Sequence, residues 1–203
     1  MNPTKIQLSE DELAFVQNGQ LLLTKNAIID KAVEVMGGMH GQIKKLMEEL
    51  GPPLPAEVLG SSGKISKGEK YEGLPWVMLD YPRVFGKGAV FAIRTMFWWG
   101  HFFSITLHVS GPYKAMFKEV LMRNRMLLQE CNFFICVSEE EWRHDFASTN
   151  YVSLDRLSDQ AVENIFSVND FCKLSVRIPL QMWNFSMETA DTLYRAIFES
   201  LKP

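Results

Sequence analysis

The chain is poor in everything that staples, recharges or anchors a protein. Its three cysteines, Cys131, Cys136 and Cys172, are an odd number with no C-x-x-C and no paired Cys/His spacing. That argues against a disulfide scaffold or a structural zinc and points to reduced thiols in a cytoplasmic protein. Lys plus Arg is 21 against 24 Asp plus Glu, a formal charge of −3. With no basic excess to neutralise phosphates, nucleic acid is not an expected partner. No uninterrupted apolar run is long enough to span a bilayer. The greasiest stretch, AVFAIRTMFWWGHFFSITLHVSG, is broken by Arg94, Gly100, His101 and His108 and alternates with period two, so it reads as a buried hairpin and no membrane partner is expected. The start, MNPTKIQLSEDE, lacks the basic-then-apolar signature of a secretion signal, and with no such signal the sequon Asn184-Phe185-Ser186 carries no weight as a glycosylation site. Motifs with built-in chemistry are missing too. Gly60-Ser61-Ser62-Gly63-Lys64-Ile65 has neither the spacing nor the terminal hydroxyl of a phosphate loop, Gly86-Lys87-Gly88 is too short for a dinucleotide turn, and G-x-S-x-G and H-E-x-x-H do not occur. No cofactor and no metal is expected.

What remains is an ordinary globular mixture of 203 residues, 47% apolar, with 14 Phe and 11 Met suited to a large, adaptable core or a greasy pocket. The length predicts one domain over residues 1–203, made of a helical segment (1–50), a loop (51–73) and a sheet-and-helix core (74–203). Ser9 with Glu12 forms a capping box for a short helix that pauses near Asn18-Gly19. A longer helix follows toward Leu50, with Ala32, Met36, Met39, Ile43, Leu46 and Leu50 on one stripe and a kink expected at Gly37, Gly38 and Gly41. The proline-rich GPPLPAEVLG and the Gly/Ser/Lys-rich SSGKISKGEK read as a surface connection.

From Leu74 the pattern turns to strands: WVMLDYP closed by Pro82, then AVFAIRTMFWW and HFFSITLHV. Pro112 opens a helix, and Phe133 to Val137 forms a buried strand. Ser138-Glu139-Glu140-Glu141 suggests a second capping box and a helical turn. A helix lies between Ser153 and Phe166, Leu174 to Leu180 alternates as a half-exposed strand ending at Pro179, and Ser186 caps a final helix. The order predicts an α+β fold: an antiparallel-dominated sheet of about five strands, helices packed mainly on one face, and an N-terminal helical segment.

The candidate site comes from the hairpin at the tandem tryptophans. A three-residue loop, Trp98-Trp99-Gly100, pairs Phe97 with His101 and segregates the two faces. One face carries Phe91, Ile93, Thr95, Phe97, Phe103, Ile105 and Leu107. The other carries Arg94, Met96, Trp98, Phe102, Ser104, Thr106 and His108, and Asp80 in the preceding strand can reach Arg94. A cation, an imidazole and two hydroxyls between aromatic walls is the chemistry of a small-molecule pocket. The expected ligand site is therefore Asp80, Arg94, Trp98, Phe102, Ser104, Thr106 and His108, taking a small amphipathic or anionic ligand. Against it stands a plain structural reading, with Arg94 and Asp80 as an internal ion pair and His108 as a satisfied core histidine. Two alternatives of other classes are a hydrolase or transferase with His108 as general base oriented by Asp80, and a homodimer joined through an aromatic patch at Trp98 or Trp99. Arg143-His144-Asp145, with Glu140 four residues before His144, reads as a solvated acidic turn before it reads as a ligand pair.

The stretches HFFSITLHVSGPYKAMFKEVL, CNFFICVSEEE and FCKLSVRIPLQMWNF follow one another in a layout that resembles the YktB-like bacterial family of unknown function. N-terminal helices precede a hairpin there, and a helix opened by Ser-Gly-Pro or Ser-Pro leads on to strand, helix, strand and helix. The resemblance covers most of the chain as element order. It implies an α+β fold in a bacterial protein and brings no activity or functional residue.

Overall fold

The computed structural model describes residues 6–203. The first helix forms where its capping box places it. In α1 (Glu10–Gln17), Ser9 Oγ accepts from the Glu12 amide at 3.2 Å and the Glu12 carboxylate accepts from the Ser9 amide at 2.7 Å. After Asn18 the chain continues into α2 (Gly19–Leu50).

The kink expected at Gly37, Gly38 and Gly41 is not there. α2 runs unbroken for 32 residues because Ile29, Ala32, Met36, Met39, Ile43 and Leu46 form a buried stripe, and packing outweighs the ~1 kcal/mol each glycine costs. Gly38 has a use: a Cβ there would lie 2.6 Å from the Met187 Cε that packs over it. The helix stops at Gly51, whose φ of 52° lets its N–H bond back to Met47 O.

Residues 51–73 are not merely a loop. They hold a short helix, α3 (Ala56–Leu59), and a full strand, β1 (Lys64–Tyr71). β1 lies at the sheet edge and is largely exposed on both faces, so its side chains show no alternation. Its ladder to β2 (Leu74–Gly86) is made by backbone alone. β2 also continues past Pro82, which sits where the β2–β3 register slips between Asp80 and Arg83, a place where a missing N–H is tolerated.

β3 (Ala89–Trp98) and β4 (Phe102–Ser110) form the central hairpin. The turn is Trp99-Gly100-His101, with Gly100 at φ 75° and the His101 amide bonded to Trp98 O at 3.1 Å. Phe97 therefore pairs with Phe103, not His101. The left-handed residue belongs at the third position of the four-residue turn, which moves the register by two. A shift of two preserves alternation, so both faces keep the residues assigned to them.

α4 (Gly111–Arg123) begins at Gly111-Pro112, and α5 (Arg125–Glu130) leads to β5 (Phe134–Cys136). The segment 137–150 contains no helix, only single turns such as Arg143 N to Glu140 O at 3.3 Å. Ser138 Oγ accepts from Glu140 N at 3.0 Å, a local turn that competes with helix formation. β6 (Tyr151–Ser153) had no visible signal at three residues, and α6 (Asp159–Val168) starts later than Ser153, at the Ser158 cap. β7 (Phe171–Pro179) ends at its proline but is central, not half-exposed. α7 (Ser186–Ser200) takes Ser186 as its first residue, and the buried Ser186 Oγ has no partner, so it does not cap.

The result is α+β: one antiparallel sheet of seven strands, in the order β1-β2-β3-β4-β7-β5-β6. α2, α4 and α7 pack on one face, over Phe91, Ile93, Phe97, Phe103, Ile105 and Leu107. Thr95, the polar residue of that face, is satisfied by the Tyr194 hydroxyl at 2.5 Å. Among the described residues the opposite face has no helix. It is covered by the 137–150 segment, a compact loop whose ends meet through Val137 N to Asn150 O at 2.8 Å.

Candidate functional site

All seven residues of the expected site lie on this loop-covered face. β2 brings Asp80 opposite Arg94, and β3 and β4 bring Arg94 opposite Thr106 and Trp98 opposite Phe102. β7 then adds Lys173 beside His108, Ser175 beside Thr106 and Arg177 beside Ser104.

The polar half is an internal network. Arg94 Nε donates to Asp80 Oδ1 at 2.7 Å and Nη2 to Oδ2 at 3.2 Å, a two-point ion pair with both side chains almost fully enclosed. Arg94 Nη1 points at His144 Nε2, 3.4 Å away, and the guanidinium lies 5.6 Å from the Trp142 ring. Burial, reinforced by Arg94, Lys173 and His108, holds the His144 imidazole well below its usual pKa. A neutral ring is what leaves Nε2 a lone pair to accept from Arg94. His108 meets Glu141 Oε1 at 2.9 Å. Burial first, then Lys173 and Arg94, push its pKa down to about 3, so the contact is a hydrogen bond from a neutral imidazole. Thr106 and Ser175 share a 2.6 Å bond.

Lys173 is the unusual member. Its ammonium is buried, has no carboxylate partner among the described residues, and donates instead to Glu141 O at 2.8 Å and Arg143 O at 2.6 Å, with the Tyr151 ring at 5.4 Å. Burial brings its pKa down to about 8. Lys173, His108 and Arg94 thus hold the loop on the sheet at Glu141, Arg143 and His144, with Glu141 bound twice. The Tyr71 hydroxyl adds a further tie by accepting from the His144 amide at 2.8 Å. The alternation from Leu174 to Leu180 predicts one exposed side for this strand, and Lys173 falls on that side. Only its pairing with β4, a non-local event, turns it inward.

The apolar half packs Met78, Met96, Trp98 and Phe102 against Phe146 of the loop. Trp98 stacks on His101 at 3.6 Å, and its indole Nε1 is buried without a partner. Here the face opens. A groove of about 470 Å³ is bordered by His101, Phe102, Asn132, Phe134, Val176, Arg177 and Pro179. Its cation is Arg177, which the sequence reading did not select. The guanidinium lies 4.9 Å from the Phe146 ring, 5.3 Å from Phe134 and 6.0 Å from Phe102, and it takes part in none of the ion pairs among the described residues. A second groove of about 570 Å³, across Arg177, carries the carboxylates of Glu130 and Glu188. A third, of about 520 Å³, has Glu141, Trp142, Asp170 and Phe171 in its wall and reaches the outer side of the His108–Glu141 contact.

Phe102 is thus the one expected residue that borders any of these openings. Asp80 is committed to Arg94, and His108 Nε2 is occupied by Glu141, so a substrate would have to displace Glu141 before His108 could act as a base. Trp98 is buried and Trp99 half-buried. Among the described residues no cluster of three His, Cys, Asp or Glu could hold a metal, and no helix is long and apolar enough to cross a membrane. No protein-family model matches the chain, and no curated protein matches it.

Proposed function

We propose that this protein binds a small amphipathic anion in the groove between the β4 and β7 ends. The hydrocarbon or aromatic part lies on Phe102 and Phe134, and Arg177 holds the charge. His101 and Asn132 supply polar contacts at the rim. The observation that carries the reading is Arg177 itself: a cation cradled by three rings, without a carboxylate, at the mouth of a concave apolar site. The groove of about 570 Å³ shares Arg177 but sets Glu130 and Glu188 against it, and the groove of about 520 Å³ carries Glu141 and Asp170 with no cation in its wall.

In this reading Trp98 is the wall behind His101. Asp80, Arg94, Ser104, Thr106 and His108 act from beneath, holding the strands and the loop that presents Phe146 to Arg177. They are positioning residues and do not touch the ligand.

Titration calorimetry with decanoate, and separately with an anilinonaphthalene sulfonate dye, tests this. Saturable one-to-one binding is expected, weakened at least tenfold by Arg177→Ala and unchanged by Arg123→Ala on the exposed end of α4. Absence of saturable binding of both probes, or equal affinity in Arg177→Ala, overturns it.

A further inference from the structure

β7 is a central strand for only part of its length. β4 pairs with it from Phe171 to Pro179, whereas β5 pairs with it at Leu174 and Ser175 alone. The cause is Asn132. Its φ of 58° and its N–H bond back to Gln129 O take the chain out of the line of β5, and the place beside Arg177 and Ile178 is left without a strand. Alternate residues of an antiparallel strand turn their N–H and C=O to either side, so one of these two directs both groups into the gap. Among the described residues no backbone group meets them there. An unpaired stretch of sheet edge is a template for one more strand.

Two grooves open on this gap, one on each side of the sheet. The groove of about 470 Å³ lies on the loop-covered face with Phe102 and Phe134, and the groove of about 570 Å³ lies on the helix face with Thr189 and Leu193 of α7. Val176 and Arg177 are neighbours in a strand and point to opposite faces, yet both residues line both grooves, so what the grooves share is the backbone edge of β7. Their charges differ. Arg177 lies among the rings of the first. Glu130 and Glu188 stand exposed in the second, in none of the ion pairs among the described residues.

A strand added antiparallel to β7 uses both grooves at once. Residues directly opposite in a ladder share a face. A residue opposite Arg177 therefore turns its side chain toward Phe102 and Phe134, and the residue before it, opposite Ile178, turns its side chain toward Glu130 and Glu188. Asn132 closes the slot on the β5 side, so the added strand stops beside Arg177. A chain that ends there brings its own terminal carboxylate to the guanidinium.

We propose, resting on the reading of Arg177 as the anion holder, that the amphipathic anion of this groove is the C-terminus of an extended peptide paired with the free edge of β7. Its apolar last residue lies on Phe102 and Phe134, its carboxylate meets Arg177, and a basic penultimate side chain faces Glu130 and Glu188.

Titration calorimetry with acetyl-Val-Lys-Phe as the free acid tests this, against acetyl-Phe, an amphipathic anion with no strand to add. The tripeptide is expected to bind at least tenfold tighter than acetyl-Phe, and its C-terminal amide should lose at least tenfold. Replacing its Lys by Glu should cost at least fivefold, and Glu130→Lys with Glu188→Lys, both at exposed positions, should reverse that preference. Because ladder bonds alternate, an N-methyl group on one of the last two amide nitrogens of the peptide, and not on the other, should cost at least tenfold. A tripeptide no tighter than acetyl-Phe overturns the proposal. So does an amide that binds as well as the acid, indifference to both N-methyl groups, or a Lys-over-Glu preference that the double variant leaves unchanged. Decanoate that binds through Arg177 while the tripeptide gains nothing removes this inference alone, whereas failure of decanoate, dye and tripeptide alike removes the groove reading with it.

Discussion

Among single residues, the Arg94–Asp80 pair and His108 carry the largest electrostatic consequences. Removing one partner of an enclosed ion pair leaves the other charge without compensation, which costs about 3–5 kcal/mol, whereas replacing both by apolar groups of similar size is often neutral. Arg94→Met is therefore expected to lower unfolding free energy in urea by about that amount, and Asp80→Leu added to it should recover most of the loss. A double variant no more stable than the single would mean that Arg94 is held by something other than Asp80. His108 makes a prediction with a sign. Its folded pKa of about 3 lies below the ordinary 6.5. Between these values the unfolded chain binds the proton and the folded one does not, so stability falls as pH drops below 6.5 and continues to fall toward 3. By pH 5 the loss is about 2 kcal/mol. The stability of the native chain relative to His108→Gln should shrink by that amount between pH 7 and pH 5. A difference that does not change with pH would show that folding leaves the His108 pKa where it stands in the unfolded chain.

Elements differ in how far their own letters specify them. α1 is written out in Ser9 and Glu12, α4 in Gly111-Pro112, and α7 in the stripe Ala190, Leu193, Tyr194, Ile197 and Phe198, because each answers to local capping or to a helical period. The face that carries Arg94, Trp98, Phe102, Thr106 and His108 was legible for a related reason: alternation survives a register error of two. β1 and β6 left no mark, since an exposed edge strand and a three-residue strand are specified by their neighbours' backbones. Arg177 and Lys173 were out of reach because β7 joins β4 across about seventy residues, and nothing in either segment names the other. Phe146 shows what such non-local packing is worth. It stacks on Tyr151 at 4.7 Å and meets Phe102 and Phe134 edge-on at 5.2 and 5.3 Å. Phe146→Ala should cost about 3 kcal/mol in a thermal or urea melt and should also weaken decanoate binding, since it removes one ring of the Arg177 cradle. Full stability in that variant would mean that the loop does not pack as a plug.

The whole molecule is a sheet with two unlike coverings. One face is sealed by helices, whose backbone bonds are made within each element and whose apolar stripes interlock over the central strands. The other is sealed by fourteen residues, 137–150, that contain no ladder or helix of their own. Their attachment is by side chains: Lys173 to two carbonyls, His108 to Glu141, Arg94 to His144, and Phe146 into the aromatic cluster. Such a covering can lift without unfolding the sheet, because its opening breaks these contacts and exposes one layer of side chains, while global unfolding must also undo the helix face. Native-state hydrogen exchange should therefore show the amides from Glu139 to Thr149 opening at a free energy well below that of the β3, β4 and β7 amides. Lys173→Met, which removes the two carbonyl contacts and the buried charge together, should accelerate exchange in this segment alone. Exchange of the segment at the same free energy as the central strands would show that both faces unfold as one cooperative unit, with the loop as much a part of the core as α2.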